Sequence, residues 1–171
     1  MLGKLKQRFS DMQTITSLCQ AAEKHAHADS EKEPGAEHFI LAALELPDGT
    51  ARQAFQRIHA DPAQFHNAIT QQYHDALHDA GIGFSSNNSP LDHPVNLASN
   101  PGVYRTKASG RALMQKLTTI KKETPGKPLL SAHIVLAALS AQYGVALRAL
   151  RRMGIEPSML MAAVQAEINQ A

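Results

Sequence analysis

The chain has 171 residues, of which 43% are hydrophobic and 19% are charged, as in one ordinary globular domain or two small halves that share a core. No apolar run reaches the length of a signal-peptide core or a membrane-spanning helix, and the single cysteine, Cys19, excludes an internal disulfide. We therefore expect a cytoplasmic protein. The net charge of +2 is unevenly divided: residues 1–85 carry 7 Lys and Arg against 11 Asp and Glu, whereas residues 86–171 carry 10 against 4.

Apolar periodicity predicts four helices in the first part of the chain. The first has one apolar face with helical spacing, formed by Ile15, Leu18, Cys19, Ala22 and Ala26. The second, at about residues 36–46, is apolar almost all round, which is typical of a helix surrounded by its neighbours. A turn at residues 47–49 separates it from a short third helix, and Asp61 and Pro62 then begin the fourth with a capping carboxylate and a first-turn proline.

The same order of elements follows a segment without regular spacing. Residues 79–104 are rich in Gly, Ser, Asn and Pro, and this composition predicts an exposed linker. Apolar stripes then predict a first helix through Leu113 and Leu117, a second core helix at about residues 132–142, and two further helices that meet near Gly154. Strand-like alternation is missing from the sequence, so the predicted fold class is all-α.

An internal repeat relates the two sets of helices. The segment His38–Leu44 recurs 95 residues later as His133–Leu139, and the same offset pairs turn glycines, a proline and apolar positions without a gap. The repeat predicts one domain over residues 1–171, with two tandem four-helix copies related by pseudo-twofold symmetry. The first copy covers about residues 10–78 and the second about residues 105–169. His59 stands where the second copy has Gly154, so we expect a less regular turn in the first copy.

Both copies resemble the double repeat of the Clp N-terminal domain found in ClpA- and ClpC-type AAA+ unfoldases. The matching segments are Glu37–Leu44 with Gly49-Thr50-Ala51, and His133–Leu139 with Gly144-Val145-Ala146. The resemblance implies a protein-binding module that docks substrates or adaptors for an ATP-dependent unfoldase or protease, either alone or as the front part of a longer chain. A phosphate-loop motif is absent from the sequence, so we expect no enzyme activity and no cofactor.

Candidate binding residues follow from the resemblance together with general physics. A hydrophobic groove between helices, near the chain start and the entrances of the two core helices, would accept a protein segment, with Glu37, Tyr104 and Arg105 at its edge. Some members of the family bind phosphorylated arginine through a glutamate at the position of Glu37. The second copy has Ala132 there, so we do not extend that specificity to this chain.

Four positions repeated in both copies are interpreted as structural, namely His38, Gly49, His133 and Gly144. The sequence contains neither a nucleophile motif nor a metal motif. His74 and His78 are spaced to share a metal on one helix, but solvated histidines are the favoured interpretation. The alternative function is a regulatory module that binds an unrelated protein, or nucleic acid through the basic second half.

Overall fold

A computed structural model of the chain describes residues 2–81 and 105–171, and within these ranges it has eight α-helices and no strand. This confirms the predicted all-α class. The helices are α1 (Leu2–Ala28), α2 (Ala36–Glu45), α3 (Thr50–Arg57), α4 (Gln64–Asp79), α5 (Ala108–Glu123), α6 (Ser131–Leu139), α7 (Val145–Arg152) and α8 (Pro157–Gln170). Most of the predicted linker lies outside the described residues. None of the described helices is both long and apolar enough to cross a membrane.

Helices α2 and α6 form the centre of the fold, as the sequence predicts. Every residue from Ala36 to Leu44 is buried, and all but one residue of α6 is buried as well. The two helices pack against each other, and the others surround them: α1 on α2, α5 on α6, α3 on α8, and α4 on α7. The helices α1 to α4 of the first copy correspond in order to α5 to α8 of the second. When each helix is replaced by its counterpart, the α1–α2 pair becomes the α5–α6 pair, and the α3–α8 pair becomes the α7–α4 pair. The predicted pseudo-twofold arrangement is therefore present in the packing.

Two arginines illustrate this symmetry with reciprocal contacts between the copies. Arg57 of α3 binds Glu167 of α8 at 2.6 Å and donates to Gln170 at 3.1 Å. Arg152 of α7 forms an ion pair with Asp75 of α4. The arginines are 95 residues apart, and so are Asp75 and Gln170. The outer helices of each copy are therefore joined to the opposite copy by equivalent side chains.

A polar network joins the copies at the starts of α3 and α6. The Asp48 carboxylate accepts hydrogen bonds from the backbone N–H of Thr50 at 3.0 Å and from the Ser131 hydroxyl at 2.7 Å. The Thr50 hydroxyl then caps α6, and the Ser131 hydroxyl caps α3. Thr50 Oγ1 accepts from Ala132 N–H at 3.0 Å, and Ser131 Oγ accepts from Ala51 N–H at 2.9 Å. Three of these donors, the Ser131 hydroxyl and the N–H groups of Ala132 and Ala51, thereby find partners across the copy boundary.

The prediction of a less regular turn at His59 is wrong. His59 takes the left-handed conformation with φ of 57°, close to the 74° of Gly154. Both turns also close with the same 3.0 Å backbone hydrogen bond, Ala60 N to Phe55 O and Ile155 N to Leu150 O. Phe55 of α3 and Phe65 of α4 are buried on either side of this corner, with their ring centroids 6.2 Å apart. Their burial outweighs the cost of about 1 kcal/mol that a side chain adds to the left-handed conformation.

Helix α1 begins at Leu2, well before the apolar stripe that predicts it. The stripe starts at Ile15, whereas the described side chains of residues 3–10 are exposed or half-buried. These first turns therefore extend α1 beyond the part that packs on α2.

Candidate protein-binding groove

The repeated histidines occupy the third positions of α2 and α6, where each accepts a hydrogen bond from the backbone N–H at the helix start. The distances are 2.9 Å from Gly35 N to His38 Nδ1 and 3.0 Å from Leu130 N to His133 Nδ1. An accepting Nδ1 places the proton on Nε2, so both rings are neutral and act as N-terminal caps. Burial accordingly lowers the pKa of both histidines. The structure thus supports the interpretation of His38 and His133 as structural residues.

The two histidines differ at their other nitrogen. His38 Nε2 lies 3.2 Å from Asp29, which also binds His66 at 2.9 Å. Position 124, which corresponds to Asp29, holds a threonine, and His133 Nε2 is buried without a hydrogen-bond partner among the described residues. The first copy therefore has a carboxylate-linked pair of histidines that the second copy lacks.

The repeated glycines begin α3 and α7. Gly49 has φ of 70° and Gly144 has φ of 141°, and these values fall in the region that favours glycine. Among the described residues, no three His, Cys, Asp or Glu side chains are grouped so that they could hold a metal ion. His74 and His78 lie exposed on α4.

The placement of Glu37 at an accessible groove edge is wrong, because Glu37 is only 2% exposed. Its carboxylate accepts a 2.8 Å hydrogen bond from the Tyr73 hydroxyl, and Lys107 Nζ lies 3.8 Å away. Burial and the neighbouring Glu37 charge raise the pKa of Tyr73, so the hydroxyl stays a donor. Arg105 is exposed, and Tyr104 lies outside the described residues.

An apolar groove lies between α1, α5 and the segment that precedes α6, with a volume of about 310 Å³. Its apolar walls come from Ile15 of α1, Met114 and Leu117 of α5, and Leu129. Ile15 and Met114 are half-buried, whereas Leu117 and Leu129 belong to the core. The groove therefore exposes the edge of the hydrophobic core to an incoming side chain.

Polar groups at the rim fix the groove's shape. Asp11 accepts from the backbone N–H of Leu129 and pairs with Lys121 Nζ, both at 2.9 Å. Burial would raise the pKa of Asp11, but hydrogen bonds from Lys121, Leu129 and Gln7 outweigh it and hold the pKa below its usual range. The carboxylate thus ties α1 to the loop before α6. Lys122, also at the rim, is exposed and gives this edge a positive charge.

At the equivalent position in the described part of the other copy the backbones pack closely, and the residues 95 positions apart explain why. Ile15 lines the groove, and the corresponding residue is Gly110 of α5. A Cβ at Gly110 would lie 3.0 Å from both the Pro34 carbonyl oxygen and the Phe39 ring. Because glycine has no side chain, α5 approaches α2 closely there and closes the equivalent crevice. In the groove itself the corresponding position holds the bulkier Ile15, and the crevice there stays open.

A second, more polar cleft of about 340 Å³ lies beside α2 and α4. His25 in this cleft binds Glu45 at 2.9 Å, and His66 binds Asp29, so both histidines already have partners within the chain. Leu41 and Leu44 supply apolar wall, but both are at most 9% exposed. The α1–α5 groove is thus the better candidate for an apolar protein segment.

Sequence reasoning placed a groove near the chain start but missed the residues that form it. Met114 and Leu117 appear in the sequence as a core-facing stripe, and Asp11 appears as an ordinary surface carboxylate. The signal that distinguishes them is the repeat itself, since Asp11 and Ile15 have no equivalent side chains of similar size and charge at Thr106 and Gly110.

Comparison with known proteins agrees with this architecture. No family model matches the sequence, and no curated protein matches it either. Among solved structures, the chain is similar to the Hsp104 N-terminal domain from Candida albicans with a TM-score of 0.57 and 16% sequence identity. The match covers 88% of this chain and 85% of that domain. The predicted resemblance to the Clp N-terminal domain is therefore confirmed at the level of the fold: this chain has the helical repeat fold of the Hsp104 N-terminal domain.

Proposed function

We propose that this chain is a protein-binding module that docks apolar segments of substrates or adaptors for a Clp-type ATP-dependent unfoldase or protease. The observation that carries the proposal is the apolar groove between α1 and α5, which opens onto the core and has a rigid polar rim. The resemblance of the repeats to the Clp N-terminal domain supplies the class of partner. The module itself acts by binding, and the partner supplies ATP hydrolysis.

Met114 is suited to contact such a ligand. It is half-buried in the groove wall, and a methionine side chain is unbranched and adapts its shape to different apolar groups. Full burial of one Leu or Phe side chain of the ligand would contribute about 1.5–3 kcal/mol, which is about a 10- to 100-fold gain in affinity. A gain in affinity of this size for each buried ligand side chain allows the module to hold exposed apolar segments transiently, as a docking function requires.

Binding of a fluorescein-labelled peptide with a Leu- and Phe-rich centre tests the groove. Met114→Asp places a charge in the apolar wall and should weaken binding by about tenfold or more, because the ligand side chain would then bury an unpaired carboxylate. Met159→Asp is the matched control, since Met159 is an exposed methionine on α8 outside the groove lining. Unfolding midpoints of both variants show whether the fold is intact. Equal affinities of the two variants would contradict the proposal.

The partner class has its own test. The chain should copurify with the Clp-type ATPase of its own cell, and a peptide that fills the groove should compete with substrate delivery. Peptide binding without any association with such an ATPase would leave a binding module with a different partner and would refute the Clp assignment.

The structure offers less support for nucleic-acid binding by the basic second half. Several of its cations are paired with acids of the first half. Lys107 lies 3.1 Å from Glu31, Lys121 binds Asp11, and Arg152 pairs with Asp75. The uneven charge of the two halves thus serves in part to join them.

A further inference from the structure

The first turns of α1 carry an exposed apolar seam. Leu5 is 72% exposed, and Phe9 and Met12 are each 63% exposed. The described residues have five exposed large hydrophobic side chains in all, and three of them lie on these turns. Single exposed apolar residues are ordinary on a protein surface, but a contiguous group marks an interaction site.

Before Asp11, which pairs with Lys121 and accepts from the Leu129 N–H, no side-chain hydrogen bond joins these turns to another part of the described chain. Their side-chain hydrogen bonds are local: Gln7 donates to Asp11 at 2.8 Å, and Thr14 donates to the Ser10 carbonyl at 3.1 Å. Turns that project beyond the packed part of a helix lack the tertiary contacts from which most helical stability comes. The exposed turns therefore gain stability from any partner that covers the seam.

The spacing of the seam favours another helix as that partner. Leu5, Phe9 and Met12 are separated by four and then three residues, which is the spacing of core positions in a coiled coil. A seam of this kind is narrow, whereas a helix that lies in a membrane surface has a broad apolar face. Thr16 and Cys19 continue the spacing, and Cys19 already packs against the core of the domain. The free seam from Leu5 to Met12 is thus about two turns long.

Two cations define the charge that the partner helix must carry. With Leu5 and Met12 at heptad position d and Phe9 at a, the exposed Lys6 and Arg8 occupy positions e and g beside the seam. Two copies of this chain paired antiparallel would bring like charges together. Paired in parallel, neither cation would meet a carboxylate, because the facing residues are Met1 and Gln13. A second copy is therefore a poor fit.

We propose that the Leu5–Phe9–Met12 seam docks a helix of another protein that presents an apolar a/d stripe flanked by acidic residues. This surface is separate from the α1–α5 groove and does not depend on the function proposed for it. Burial of the seam would extend the packed part of α1, and the flanking carboxylates of the partner would pair with Lys6 and Arg8.

Two synthetic helical peptides of about three heptads, both with Leu at a and d, provide the probes. One has Glu at every e and g position and the other has Lys. The full-length chain should bind the Glu peptide at least about tenfold more tightly than the Lys peptide, because only the Glu peptide complements the two cations. In the Lys6→Glu/Arg8→Glu double variant this preference should invert.

Phe9→Ser should weaken Glu-peptide binding by about tenfold, since Phe9 is the central side chain of the seam. Tyr143→Ser is the matched control, because Tyr143 is the most exposed of the large hydrophobic residues, at 83%, and lies far along the chain. Both side chains are outside the core, so unfolding midpoints should not change. Met114→Asp should leave Glu-peptide binding intact, which separates this surface from the groove.

Three results would overturn the proposal. Equal affinity for the Glu and Lys peptides would remove the charge selection. Binding to anionic vesicles but to neither peptide would identify a lipid surface as the ligand. Self-association that is lost in Phe9→Ser, without peptide binding, would identify a second copy.

Discussion

Replacement of Asp48 tests whether one carboxylate joins the two repeats. Asp48 accepts hydrogen bonds at the start of α3, from Thr50, and at the start of α6, from Ser131. A capping residue contributes about 1 kcal/mol to one helix, and a hydrogen bond to a charged acceptor contributes about 1.5–3 kcal/mol. The side chain is partly in contact with water, so the lower values apply. Asp48→Ala should therefore reduce the free energy of unfolding by about 2–3 kcal/mol.

Urea denaturation followed by circular dichroism measures this change. The matched control is Asp61→Ala, because Asp61 accepts one backbone N–H, from Ala63 at 2.9 Å, and serves one helix only. That variant should lose about 0.5–1 kcal/mol. If the two variants lost the same amount, the bridging role of Asp48 would be wrong.

The pH dependence gives a second readout for Asp48. Burial would raise its pKa, but hydrogen bonds from Thr50 and Ser131 outweigh burial and lower the pKa below 3.8. The ionised group therefore stabilises the fold above the pKa of the unfolded chain, and this contribution is lost as the pH falls through the lower folded pKa. Asp48→Asn should show a smaller loss of stability in acid than the unchanged chain. An identical acid profile would refute the assignment.

Two further predictions concern His133 and Gly110. Burial lowers the pKa of His133 below 6.5, so protonation favours the unfolded chain, and stability should fall as the pH drops below about 6.5. In His133→Gln, whose amide oxygen can keep the cap, this fall should be smaller in denaturation experiments at pH 7 and pH 5, and an unchanged fall would exclude His133 as its source. Gly110→Ala should reduce the free energy of unfolding by about 1–3 kcal/mol and so lower the unfolding midpoint, because the new Cβ would lie 3.0 Å from a backbone carbonyl oxygen. Gly3→Ala, with no atom within 4 Å of its Cβ, should not lower it.

The helices and their pairing could be predicted from the sequence because burial imposes a pattern on it. Segments that are apolar all round, such as His38–Leu44 and His133–Leu139, have to lie inside, and both lie at the centre of the fold. The repeated offset then requires equivalent helices around them. Charge indicated burial or exposure less reliably than the apolar pattern did. Glu37 follows the surface pattern of a carboxylate, yet Tyr73, on a helix distant in sequence, supplies the hydrogen bond that allows its burial.

The groove and the seam could not be predicted in the same way, since neither follows from the repeat. The groove requires Asp11 to meet the backbone of Leu129, a contact between residues far apart in sequence. Leu5, Phe9 and Met12 have helical spacing, but apolar spacing alone does not show whether a face is covered.

Divergence between the copies, rather than duplication itself, therefore creates the groove. A strictly symmetric domain would have either two open crevices or two closed ones. Gly110 closes one by allowing backbone contact with Pro34, and Ile15 keeps the other open at the edge of the core. The open crevice is also the one tied by Asp11 and Lys121, so the opening does not loosen the fold around it. One crevice thus contributes to packing at this position, while the other stays open.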